Sequence, residues 1–110
     1  MITLKHFKEL YEAGEAGDLP ALYQMGNILM NGDEFENGVE IDKSPSLAFM
    51  SYQQAQDYAP AKVALAKCYL EGIGTDIDEK KAFSLLRKAF CEGIEEAKDL
   101  LVRFRQKLPL

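Results

Sequence analysis

The stretch "PAKVALAKCYLEG" (Pro60–Gly72) decides the fold, because the chain carries a version of it 40 residues earlier, "PALYQMGNILMNG" (Pro20–Gly32). Pro, Ala and the final Gly coincide, and Leu65 falls under Met25. A third, shorter copy, "EAKDLLVRF", puts Ala97 under Ala21 and Ala61, and Leu101 under Met25 and Leu65. A second element alternates with the first. "LAFMSYQQA" (Leu47–Ala55) matches "KAFSLLRKA" (Lys81–Ala89). Phe7, Leu10, Ala13, Gly17 and Ala21 match Phe83, Leu86, Ala89, Gly93 and Ala97 at a constant offset of 76. The chain therefore reads B–A–B–A–B–A, and self-similarity at this period is the mark of stacked repeats.

Each element has a helical period. Ala61, Ala64, Leu65, Cys68 and Tyr69 fall at i, i+3, i+4, i+7 and i+8, as do Ala82, Phe83, Leu86, Ala89 and Phe90. Such stripes need a neighbouring helix to cover them. The spacing predicts helices near 3–16, 20–31, 45–57, 60–71, 78–92 and 94–107. Phe7, Leu10, Met25, Leu65, Tyr69, Phe83, Leu86, Leu101 and Phe104 are the expected core. Alanines at 21, 48, 55, 61, 82, 89 and 97, and Gly26, allow close helix crossings. Gly26 gives up roughly 1 kcal/mol of helix propensity to do so. No segment carries the pattern expected of a sheet.

The array resembles the Sel-one-like repeat, a relative of the tetratricopeptide repeat. The copy from Ala61 to Ala97 supplies Ala61, Leu65, Tyr69, Gly72, Gly74, Asp78, Lys81-Ala82, Lys88-Ala89, Gly93 and Ala97 at the family's spacing. Ala66 stands where the family has Gly, and Thr75 where it has Val. The copy from Ala21 is looser and four residues longer. The resemblance implies an all-α, right-handed α–α superhelix of about six helices: two full repeats flanked by half-repeats, in one domain over residues 1–110.

The loops between A and B elements read as turns. In "GIGTDIDEKKAF" (Gly72–Phe83) the two glycines permit a left-handed helix end, and Asp76 or Asp78 caps the next helix, with Asp76 and Glu79 spaced as a capping box. A phosphate loop would need a preceding strand and a Lys-Ser/Thr. A calcium loop would need ligands where Lys80 and Arg87 stand. The first repeat's loop, "NGDEFENGVEIDKSPS", is longer, acidic and expected to be mobile. A calcium loop counted from Asp33 has Phe35 and Ser44 at ligand positions, so no metal is assigned. Phe35, between Glu34 and Glu36, either meets a partner or folds back on its own helices. Ser44-Pro45 reads as a helix start.

Chemistry is not signalled. His6 is the only histidine, Cys91 has no His partner at hand, and the acids are scattered over polar faces. Cys68 and Cys91 lie 23 residues apart without a CxxC pattern, which fits reduced thiols, Cys68 buried and Cys91 partly accessible. The net charge of −5 and pI near 4.9 argue against nucleic acid. No apolar run approaches the ~20 residues of a membrane span, and "MITLKHFKEL" lacks the apolar segment of a signal peptide, so a cytoplasmic location is expected. Residues 1–44 hold nine acids and three lysines, a net of −6; the remaining residues hold nine acids and ten bases, a net of +1. That imbalance suits a basic partner.

The expected function is a non-catalytic protein–protein interaction module, without cofactor or metal. With 110 residues, the chain is expected to act by occupying a partner. The alternative is an inhibitor that blocks a toxin or enzyme, in the manner of bacterial immunity proteins. The resemblance implies a concave surface lined by the first helix of each pair. The 3.6-residue period places Tyr23, Asn27, Met30 and Asn31 on it from the first pair, Val63, Lys67, Leu70 and Glu71 from the second, and Asp99, Arg103 and Gln106 from the last. Tyr23 and Met30 lie off the core stripe, as anchors or as cover for the next helix. The loop residues Glu34, Phe35 and Glu36 form the other candidate surface.

Overall fold

The computed structural model describes residues 1–105, with the side chain of Arg105 excluded. Six helices follow one another: α1 (Leu4–Glu15), α2 (Leu19–Asn31), α3 (Pro45–Gln54), α4 (Ala59–Glu71), α5 (Glu79–Cys91) and α6 (Glu95–Arg105). Each packs on its neighbours in sequence, most extensively α2 on α3 and α4 on α5. The result is a rod of 52 × 23 × 20 Å, an all-α repeat solenoid.

The repeat is visible in the caps. After α1, Gly17 takes φ +95° and the Asp18 N–H donates to Ala13 O at 3.0 Å. After α5, Gly93 also takes φ +95°, and the Ile94 N–H donates to Ala89 O at 3.1 Å. These are the glycine-terminated helix ends that a left-handed residue makes available. After α3 the turn is two residues shorter and has no glycine; Tyr58 N–H closes on Ala55 O at 2.8 Å. Gly72 ends α4 in the left-handed region at φ +69°, ψ +38°.

Starts differ from expectation in two places. Asp78, not Asp76, caps α5, its Oδ1 accepting from the Lys81 N–H at 3.1 Å, so the Asp76–Glu79 capping box does not form. Ser44 occupies the cap position of α3 without a side-chain hydrogen bond to the helix. Its own N–H is instead tied to Leu29 O at 2.7 Å, as the Asp78 N–H is to Tyr69 O at 2.9 Å. Those anchors are equivalent in the two repeats. The six additional residues between them in the first repeat therefore loop out from a fixed base.

They form a hairpin, where neither sheet nor order was expected. Strands β1 (Asp33–Glu34) and β2 (Glu40–Ile41) pair antiparallel around an Asn37-Gly38 turn, with Gly38 at φ +87°. Ile2 joins alongside: its N–H donates to Glu34 O at 2.9 Å, and its carbonyl accepts from Glu36 N–H at 3.1 Å. Phe35 folds inward, edge-on to Phe7 at 5.3 Å between centroids. It packs with Ile41, Met25 and Ile28 on a small core of Ile2, Leu10 and Ala21 that closes the N-terminal end of the rod.

The main core runs through α3, α4 and α5, with Leu65, Tyr69 and Leu86 buried as expected. The first repeat and the second pack it differently. A Cβ added to Gly26 would stand 2.5 Å from Tyr52 Cε1, so α2 can approach α3 only as glycine. One repeat on, the equivalent positions are Ala66 and Leu86. The larger ring is matched by the smaller helix residue. At the C-terminal end Phe83 meets Phe104, with centroids 5.8 Å apart.

Candidate functional site

The concave side of α2 and α4, closed by Tyr52 of α3 and Glu96 of α6, forms a groove of about 290 Å³. That lies at the lower end of the range for ligand cavities, roughly 300–1,000 Å³. Six candidate residues line it together: Tyr23, Asn27, Met30 and Asn31 from α2, Lys67 and Glu71 from α4. Val63, expected beside them, is instead buried in the main core. Leu70 is half-buried against the same core. Asp99 and Arg103 are exposed on α6 but do not line the groove. Gln106 lies outside the described residues.

Polar groups on the groove wall are fixed by their neighbours. The Tyr52 hydroxyl donates to Asn27 Oδ1 at 2.6 Å. Burial pushes the Tyr52 phenol far above its ordinary range, so it remains a donor. With its oxygen engaged from below, the Asn27 side chain has its NH2 left to donate. Lys67 reaches across to Glu96 at 3.0 Å, a half-exposed pair that ties α4 to α6. Glu71, at the other end, enters no ion pair among the described residues. Tyr23 is partly taken up in packing, its ring 6.0 Å from Tyr52 and 5.7 Å from Tyr58. It therefore serves as a groove wall and as cover for the next helix.

The floor is apolar and chemically quiet. Cys68 lines it while almost wholly buried; burial, with the Glu71 carboxylate adding to it, pushes its thiol from 9.0 up to about 11. A neutral thiol is a poor nucleophile. Cys91 is exposed at the C-terminal end of α5 and unlinked. Among the described residues no three His, Cys, Asp or Glu side chains converge as a metal site would require.

The profile of the Sel1 repeat matches the chain twice, over residues 19–55 and 59–94. The chain belongs to the Sel1 repeat family. Its two Sel1 repeats are the pairs α2–α3 and α4–α5, with α1 and α6 as half-repeats at the ends. The fold is similar to a Sel1 repeat protein from Oxalobacter formigenes, with a TM-score of 0.78 and 27% identity over 86% of this chain. It is also similar to c5321, a protective antigen of uropathogenic Escherichia coli with an SLR fold, with a TM-score of 0.75 and 26% identity over 86%. The match spans 26% and 20% of those two chains, so the present sequence is far shorter than either. No curated protein matches it. The repeats stack into an α-solenoid scaffold.

Sequence reasoning missed several groove residues. Tyr52, Pro60, Ala64, Cys68, Ile73 and Glu96 were not assigned to it. Tyr52 carried a signal: it is the large residue opposite Gly26. Lys62 was missed altogether. Its stem is buried and its ammonium meets both Glu92 carboxylate oxygens, at 2.8 and 2.9 Å, stapling α4 to the end of α5.

The acidic hairpin divides. Glu34 and Glu36 are exposed, whereas Phe35 is half-buried against Phe7 and unavailable as a protruding anchor.

Proposed function

We propose that the chain binds a segment of a partner protein in the concave groove between α2 and α4. One observation carries this reading: Asn27, Asn31 and Lys67 line one open cleft of about 290 Å³ together with Met30, Ile73 and Cys68. Amides above an apolar floor suit an extended peptide, whose carbonyls accept from the wall while a side chain seats below. Glu71 adds a place for a partner lysine or arginine. The test is the paired substitution of Asn31→Arg and Glu71→Arg, both exposed and, among the described residues, with neither side chain bonded within the fold. Partner affinity should fall at least about tenfold, the equivalent of ~1.4 kcal/mol, with stability unchanged. Retained affinity would move the partner elsewhere.

The net of −6 over residues 1–44 supports a second use of the same scaffold, as an inhibitor of a basic toxin or enzyme. Co-expression with the product of a neighbouring toxin gene tests it: restored growth supports this use, and undiminished toxicity removes it. The unlinked thiols support a cytoplasmic site of action, which cell fractionation checks.

A further inference from the structure

The side of the rod away from the groove carries a second cleft, of about 240 Å³, between α1 and α3 and floored by α2. Its rim is apolar yet open to solvent: Tyr11 is 53% exposed, Leu47 51% and Met50 50%. Leu22, Met25 and Leu29 form the floor. The second repeat shows what this site looks like when it is closed. Leu22 corresponds to Lys62 at the 40-residue offset, and Leu47 and Met50 correspond to Lys81 and Ser84 at the 34-residue offset. Lys62 lies buried there, bonded to Glu92 and, at 3.5 Å, to Asp57 O. Lys81 covers the Tyr69 ring at 5.5 Å. In the second repeat the chain fills the cleft with its own lysines. In the first it leaves Leu, Leu and Met uncovered.

The electrostatics say what would cover them. Among the described residues, Glu15 is the one charged side chain lining the cleft. From Glu9 onward α1 also carries Glu12 and no base, while Lys5 and Lys8 lie toward its start and do not line the cleft. Helix α3, Pro45–Gln54, has no charge at all. We infer that this cleft is a docking site for a basic, apolar segment of a partner protein, one that seats leucine-type side chains between Tyr11, Leu47 and Met50 and sets a lysine or arginine against Glu15. It supplies from outside the combination that Lys62 and Lys81 supply within the second repeat: aliphatic cover carrying positive charge. A second copy of this chain fits less well, because joining two such faces would bring two acidic α1 helices together.

The test uses a fluorescein-labelled synthetic peptide with a leucine-rich helical face between lysine pairs, and a twin with glutamate pairs. The full chain should bind the lysine peptide and reject the twin by fluorescence anisotropy. Leu47→Lys with Met50→Ser, the residues the second repeat already bears, should weaken that binding at least about tenfold. Amide shifts on titration should fall at Gly14, Leu22 and Ser51. Should the double variant fail to fold, Tyr11→Arg, which sets a positive charge on the exposed rim, reads the same loss. Absence of binding, equal binding of the twins, indifference to the substitutions, or shifts confined to Asn27, Asn31 and Lys67 would each overturn the proposal. So would dimerisation of the free protein that Leu47→Lys/Met50→Ser abolishes, since the occupant would then be a second copy. The Asn31→Arg/Glu71→Arg variant should bind the lysine peptide like the wild type, so this site and the groove stand or fall separately.

Discussion

Gly26→Ala tests how the two helices of the first repeat meet. The added Cβ would lie 2.5 Å from Tyr52 Cε1 and 2.7 Å from Cδ1, so something must shift. The ring has little room to do so: Tyr52 is 3% exposed, bonded to Asn27 at 2.6 Å and flanked by Tyr23. Overpacking of this kind costs about 1–3 kcal/mol. Alanine returns up to ~1 kcal/mol of helix propensity. The contact is severe, so the overpacking wins, and a net loss of about 1–2 kcal/mol is expected. Tyr52→Leu alone should also destabilise, by about 2 kcal/mol, through lost ring volume and a lost hydrogen bond. The two together recreate the Ala66–Leu86 pair of the second repeat. The double variant should therefore be more stable than the sum of the single changes predicts, with a coupling of about 1–3 kcal/mol. Equilibrium unfolding in urea, with slopes compared across the four proteins, measures this. A Gly26→Ala protein as stable as the wild type, or strictly additive effects, would refute the reasoning.

Four further outcomes are expected. At the Lys62–Glu92 pair, Lys62→Leu should stay within about 1 kcal/mol of wild type, since Leu22 fills the equivalent place in the first repeat, whereas Glu92→Ala should cost more, about 2 kcal/mol, by leaving the buried Lys62 ammonium without its carboxylate; thermal or urea unfolding reads the order. Native protein should show one reactive thiol at neutral pH, Cys91, and a second only after denaturation, by thiol titration. Because the Cys68 thiol sits at about 11 in the fold against 9.0 ordinarily, the folded state holds its proton longer; the stability linked to it is whole below pH 9 and lost as the pH rises toward 11. Cys68→Ser should remove that part of the alkaline loss, leaving the part due to Tyr52. Finally, Phe35→Ala should release the hairpin from Phe7 and open residues 33–42 to limited proteolysis, where the wild type resists.

The helices, their order and their pairing were legible because each repeats a stripe that only a neighbour can bury. Six groove residues were legible for the same reason: the 3.6-residue period fixes which side of α2 and α4 is opposite the stripe. Val63 was misplaced because α4 is central, packed on two sides, so its buried arc is wider than one stripe. The hairpin was missed because strands of two residues carry no alternation, although Asn37-Gly38 is a strong turn signal. Phe35 was undecided in sequence because its partner, Phe7, is 28 residues away. Lys62 was unreadable for a similar reason: a lysine looks like surface until Glu92 is placed beside it.

Affinity capture followed by titration calorimetry shows whether the partner sits in the groove. The wild-type chain and the Asn31→Arg/Glu71→Arg variant are compared as bait, and the protein retained by the wild type is then titrated against both. The groove account predicts a partner bound by the wild type at least about tenfold more tightly than by the variant, with both baits equally folded. A partner held equally well by both would contradict it.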